Sequence, residues 1–135
     1  MNQSRNVQEK AKSKFVVVVD DDTSLCRALA RLLAACGIQS RCYPSAETFL
    51  DDLTSLAPDC LMLDLQLGGM SGFELHRDLI ARGRFIPTIV VTADDSPELR
   101  EQAQSAGCEA FFLKTDPGDA ILGAVRRVLS AVPAA

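Results

Sequence analysis

FVVVVDDDTS, residues 15–24, sets five strongly apolar residues directly before three aspartates. The apolar half has the continuity of a strand covered on both faces, as in a parallel sheet. The acidic half is costly, because adjacent carboxylates repel by roughly 1 to 4 kcal/mol per close pair, depending on how much water reaches them. Such a cluster at the end of a buried strand points to a missing cation.

Working outward, strand-like runs recur at Ser40–Tyr43, Cys60–Asp64, Thr88–Thr92 and Ala110–Lys114, after the first at Phe15–Asp20. Helix-period stretches separate them. The first carries Leu25, Ala28, Leu29, Leu32, Leu33 and Cys36 at three-and-four spacing, with Arg27 and Arg31 off the stripe, and stops at Gly37. The second starts near Ser45 and carries Ala46, Phe49, Leu50 and Leu53; the third opens with Ser71-Gly-Phe-Glu74, a capping-box pattern. The fourth begins Ser96-Pro97-Glu98 and ends before Gly107, and the fifth begins Asp116-Pro117 in the same way, burying Ile121, Val125, Val128 and Leu129.

Five strands alternating with five helices through short loops predict a doubly wound α/β domain, with a parallel sheet and helices on both faces. The expected organisation is a flexible basic tail at 1–13, one domain at 14–131 and a short tail at 132–135. A chain of 135 residues with 47% hydrophobic residues suits one sizeable core. No apolar run approaches the roughly 20 residues of a membrane span, and the N-terminus lacks the apolar segment of a secretory signal. A soluble, cytoplasmic protein without a membrane partner is expected. Residues 1–14 hold four of the 14 basic residues and one of the 18 acids, which leaves an acidic body that repels phosphate backbones. Direct nucleic acid binding is therefore not expected. Cys26, Cys36, Cys42, Cys60 and Cys108 are odd in number and scattered, and read as reduced structural filler.

In an open parallel sheet, ligands bind beyond the carboxyl ends of the strands. Here those ends carry Asp20, Asp21 and Asp22, then Asp64, Thr92 and Lys114. Hard carboxylate oxygens favour magnesium, which takes one or two carboxylates and keeps several waters. Asp64 suits a metal ligand and a nucleophile that forms an acyl phosphate. Lys114 and the Thr92 hydroxyl would hold the other phosphoryl oxygens. Lys114 is the only lysine after Lys14, a compact point charge among arginines.

The chain from about Lys14 to Ser130 resembles the receiver domain of two-component response regulators through VVDDD at 18–22, LDLQLGGMSG at 63–72, VVTA at 90–93 and FFLK at 111–114. The resemblance implies a five-stranded, CheY-like (flavodoxin-like) fold of strand order 2-1-3-4-5. It also implies phosphorylation of Asp64 by a sensor histidine kinase or a histidine phosphotransfer protein. Asp21 and Asp64 would be direct Mg2+ ligands, Asp20 would act through water, and Gln66 would offer its backbone carbonyl. Thr92 matches the switch hydroxyl, Lys114 the family's lysine and Phe111 its movable aromatic. The surface of the fourth helix, fifth strand and fifth helix would then signal to a downstream protein or output domain.

Two positions depart from the family pattern. Gly68 stands where proline commonly follows the acceptor loop, which predicts a less rigid loop. Thr115 replaces the proline after the lysine, and a non-proline cis bond costs about 2.5–4 kcal/mol, so a trans bond and a reshaped loop are expected. Asp22 reads as a solvated acid or helix cap and His76 as solvent-facing. Arg126 and Arg127 read as solvated surface, with a homodimer face as the alternative.

The rival readings are an interaction module that keeps the fold without using phosphate, and a magnesium-dependent aspartate phosphohydrolase. The second lacks a general acid, because Gln66 occupies the position two residues after the nucleophile. A stand-alone receiver is favoured over one cut from a longer DNA-binding regulator. The resemblance implies a signalling switch with self-catalysed phosphotransfer and autodephosphorylation, for which turnover is not the purpose, and not an enzyme in the ordinary sense.

Overall fold

A computed structural model of the protein describes residues 14–131, so the two predicted tails lie outside the described residues. The elements run β1 (Phe15–Val19), α1 (Thr23–Ala35), β2 (Gln39–Tyr43), α2 (Ala46–Asp52) with a 3-10 turn (Leu53–Ser55), β3 (Cys60–Leu63), α3 (Gly72–Ala81), β4 (Thr88–Thr92), α4 (Pro97–Ser105), β5 (Ala110–Leu113) and α5 (Gly118–Ala131). The sheet order is β2-β1-β3-β4-β5, and every pairing is parallel. The predicted doubly wound fold, strand order and five helices are all present.

Alternation along the central strands divides the core. Val16 and Val18 of β1, with Met62, Ile89 and Val91, pack against Leu29 and Leu33 of α1 and Ile121 and Val125 of α5. Val17 and Val19, with Leu61 and Leu63, face Phe49 of α2 and Leu75 and Leu79 of α3. A smaller cluster joins Leu65, Val90 and Ala103 to the half-buried Phe111. Strands β3 and β4 are buried along their whole length, whereas the edge strand β2 is mostly exposed.

Side-chain caps start the helices where the sequence places them. Ser45, Ser71 and Ser96 accept from the N–H three residues on, and Ser71 with Glu74 completes the capping box. Helix α5 starts one residue later than predicted, at Gly118, with Pro117 supplying the carbonyl that accepts from Ile121.

Several expectations require correction. Strands β1, β3 and β5 end at Val19, Leu63 and Leu113, so Asp20, Asp64 and Lys114 open the following loops. The buried stripe of α1 is Cys26, Leu29 and Leu33; Ala28 and Cys36 are exposed. Cys26 and Cys42 form a disulfide that ties α1 to β2, their Cα atoms 6.2 Å apart, so they are a crosslink instead of filler. Cys60 fits the filler reading, with burial pushing its thiol up to about 12, and Cys108 is half-buried. His76 is only 7% exposed, because it shares the inward stripe of α3 with Leu75 and Leu79.

Candidate functional site

The three aspartates that follow β1 divide their work by geometry. Asp20 turns inward and is 3% exposed; its Oδ1 accepts from the Asp22 N–H at 2.8 Å. Asp22 is the α1 cap, its Oδ1 accepting from Leu25 N at 3.1 Å. Asp21 between them is exposed.

Parallel pairing brings the other chemistry to the same edge. Val19 is in register with Leu63, and the Asp64 N–H donates to the Val19 carbonyl at 3.0 Å, so Asp64 opens its loop beside Asp20. Thr92 is in register with Leu113, and the Lys114 N–H donates to the Thr92 carbonyl at 2.9 Å. The Lys114 side chain reaches back across the edge. Its Nζ lies 2.9 Å from Asp64 Oδ2 and 3.1 Å from Asp20 Oδ1.

Electrostatics follow from this packing. Burial raises the Asp20 carboxyl above its usual range, and the Asp22 N–H and Lys114 only partly offset it. For Lys114, burial acts downward, but its bonds to Asp64 and Asp20 outweigh it and hold the ammonium above its ordinary value. One ammonium among three carboxylates leaves the cluster net negative.

The donor set fits a hard divalent cation. Carboxylate oxygens of Asp20, Asp21 and Asp64 all lie within 4.8 Å of one another. Asp64 Oδ1 also accepts from the Gln66 N–H at 3.0 Å, which brings the Gln66 backbone beside the acid; the Gln66 side chain donates to Asp94 at 3.3 Å. Thr92 Oγ1 is fully buried and has no hydrogen-bond partner among the described residues, although a buried hydroxyl left unpaired costs about 1–3 kcal/mol. Phe111 lies next to β4 in register with Val90, with the guanidinium of Arg100 against its ring.

Sequence reading missed the residues that hold the two altered loops. Glu47 of α2 accepts from the Met70 N–H at 2.9 Å and so pins the Gly68-Gly69-Met70 turn, where Gly69 adopts a φ of 75°. Here the expected looseness at Gly68 meets a tether from another helix. Gly72 lets α3 approach the acceptor, since a Cβ there would stand 2.4 Å from the Asp64 carbonyl oxygen. After Lys114, no cis peptide occurs among the described residues, as expected from Thr115. Asp116 closes that loop instead: its Oδ2 accepts from Leu113 N, and its own N–H donates to Leu113 O, both at 2.9 Å.

Comparison with known proteins agrees with this geometry. Residues 16–126 match the response regulator receiver domain family. The chain is 34% identical over 122 residues to the response regulator protein TmoT of Ectopseudomonas mendocina, covering 90% of this chain and 56% of that protein. It is 36% identical over 114 residues to the transcriptional regulatory protein FixJ of Azorhizobium caulinodans, covering 84% and 54%. Among solved structures, a response regulator receiver protein from Burkholderia phymatum superposes with a TM-score of 0.78 at 41% identity, covering 89% of this chain and 98% of that one. The chain spans about half the length of the curated relatives it matches. A parallel 2-1-3-4-5 sheet, an acidic cluster at its carboxyl edge and these likenesses together place the chain in the response regulator receiver domain family of two-component systems.

Proposed function

We propose that this receiver domain, residues 14–131, accepts a phosphoryl group on Asp64 from a phosphohistidine donor and thereby changes a surface that a partner protein reads. The observation that carries the reading is the buried, unpartnered Thr92 hydroxyl on the edge where Lys114 bridges Asp64 and Asp20. A phosphoryl oxygen on Asp64 would give that hydroxyl its acceptor.

In the step, an Asp64 carboxylate oxygen attacks phosphorus as the bond from phosphorus to the donor imidazole nitrogen breaks. The imidazole leaves with the electron pair. Lys114 exchanges its bond to Asp64 Oδ2 for one to a phosphoryl oxygen, and Asp20 keeps the ammonium in place. The Gln66 N–H on Asp64 Oδ1 fixes the acid's orientation for attack. Asp21, Asp64, the Gln66 carbonyl and, through water, Asp20 would hold Mg2+, which supplies charge neutralisation at the phosphoryl oxygens. Water attack at phosphorus later breaks its bond to the Asp64 oxygen, which restores the carboxylate and releases inorganic phosphate.

Thr92, drawn toward the phosphoryl group, and Phe111, moving in response, would alter the α4–β5–α5 surface. The partners on this reading are a sensor histidine kinase or histidine phosphotransfer protein on one side and a downstream protein or output domain on the other, in the cytoplasm. No helix among the described residues is long and apolar enough to cross a membrane. The interaction-only alternative drew its support from the two altered loops, and Glu47 and Asp116 now account for their shape.

Intact mass after incubation with acetyl phosphate tests the proposal. A gain of one phosphoryl group that needs magnesium and is lost in Asp64→Asn is expected. No gain from acetyl phosphate or from a phosphorylated histidine phosphotransfer protein would overturn it.

A further inference from the structure

Arg100 has no part in the chemistry above, yet it touches the ring assigned to the switch. Its guanidinium carbon stands 4.5 Å from the Phe111 centroid, and its Nη2 donates to Asp95 Oδ1 at 2.8 Å. Asp95 sits in the short stretch between Thr92, the end of β4, and Ser96, the α4 cap. Phe111 lies on β5 in register with Val90, two residues before Thr92 and on the same sheet face. One side chain thus ties the aromatic ring to the loop that leaves Thr92.

The Arg100 and Asp95 side chains are 49% and 57% exposed, and an exposed ion pair by itself contributes little to stability. Its effect is positional, because the carboxylate aims a planar guanidinium over the ring face, where the attraction is directional. We propose that Asp95 and Arg100 form a positioning link through which the β4–α4 loop sets the orientation of the Phe111 ring. The signalling consequence rests on the receiver reading: movement of Thr92 toward a phosphoryl group carries Asp95 with it and withdraws the guanidinium. Losing an exposed cation–π contact corresponds to a two- to five-fold change in the ring's conformational equilibrium, equivalent to about 0.5–1 kcal/mol.

Fluorine NMR on the full chain labelled with 4-fluorophenylalanine tests the link. The chain has six phenylalanines, and Phe111→Leu assigns the line. Without phosphodonor, Arg100→Gln and Asp95→Asn should shift the Phe111 line in the same direction, the double variant should match Arg100→Gln, and Arg100→Lys should restore part of the shift. Wild type with acetyl phosphate and magnesium should move toward the Arg100→Gln position. An unmoved line in Asp95→Asn, or additive shifts in the double variant, overturns the link whether or not the protein accepts phosphate. A phosphoryl gain by mass with no movement of the line overturns the coupling. The variant pattern without any phosphoryl gain, from acetyl phosphate or from a phosphorylated histidine phosphotransfer protein, leaves the link standing and overturns the phosphoacceptor reading.

Discussion

Lys114 Nζ lies 2.9 Å from Asp64 Oδ2 while its own backbone N–H holds the carbonyl of Thr92. The residue is therefore both the counter-ion of the proposed acceptor and a stitch between β4 and the loop after β5. Lys114→Met keeps the stitch and removes the charge. Asp20 and Asp64, each 3% exposed, would then share a buried site with no cation. Without metal, the variant should lose up to about 3 kcal/mol, the lower end of the cost of breaking a buried pair, because Lys114 itself is 20% exposed. Urea titration checks this, and added magnesium should recover part of the loss.

Asp20 carries the opposite sign. Burial raises its carboxyl above 3.8, so the folded state holds a proton there more readily than the unfolded chain. Its contribution to stability is fully present below 3.8 and is lost as pH rises through the raised value. At pH 7, Asp20→Asn should melt higher than wild type, and the advantage should shrink as pH falls through that value. Melting temperature against pH in EDTA measures this; an asparagine variant that melts lower at pH 7 would mean that the Lys114 pair outweighs burial.

Glu47 tethers the acceptor loop from a helix 23 residues away in sequence. The bond is exposed, so Glu47→Ala should cost only about 0.5 kcal/mol of global stability. Its local effect should be larger. The Met70 amide should exchange with solvent several-fold faster, and magnesium affinity should fall because the Gln66 carbonyl sits on the same loop. Unchanged Met70 exchange would mean that the loop holds its shape without the tether.

The residues that escaped sequence reading share this long-range character. Nearly continuous apolar runs made β1, β3 and β4 legible, and parallel strands share an edge, so the convergence of Asp20, Asp64, Thr92 and Lys114 followed from topology alone. Serine caps are local chemistry and were equally readable. Glu47 on Met70, Arg100 on Phe111 and the Cys26–Cys42 bridge depend on how separate elements pack, which no local pattern encodes. His76 is a different failure. Its position was readable from the stripe Gly72, Leu75, His76, Leu79, but it read as solvent-facing because no cysteine or second histidine accompanies it.

Gly72 is the place where close packing meets the site most directly. A methyl group there would press on the Asp64 carbonyl oxygen at 2.4 Å and on Leu65 Cα at 2.8 Å, both backbone atoms that cannot rotate away. Gly72→Ala should cost about 1–3 kcal/mol, as overpacking does. It should also displace the end of β3, slowing phosphoryl gain in the mass assay well beyond what the lost stability explains. The neighbouring Gly68→Ala, with nothing within 4 Å of its Cβ, is the matched control.

His76 is the chain's single histidine, so its titration is isolated from every other imidazole. It lies against a cavity of about 260 Å³, with Leu79, Ile80, Phe85 and Ile86 among its walls and Arg84 and Glu109 at hand. Burial pushes its pKa below 6.5, because the charged form would sit in an apolar surrounding. The unfolded chain then takes up a proton at 6.5 that the folded chain refuses until lower pH. Stability from the neutral ring is present above 6.5 and is lost as pH falls through the depressed folded value. The one imidazole proton resonance should titrate with a midpoint below 6.5. His76→Leu, which keeps the apolar stripe of α3, should remove that part of the stability loss between pH 7 and 5. A midpoint at or above 6.5, or an unchanged pH profile in the variant, would show that the ring reaches water or a carboxylate and that its burial carries no electrostatic cost.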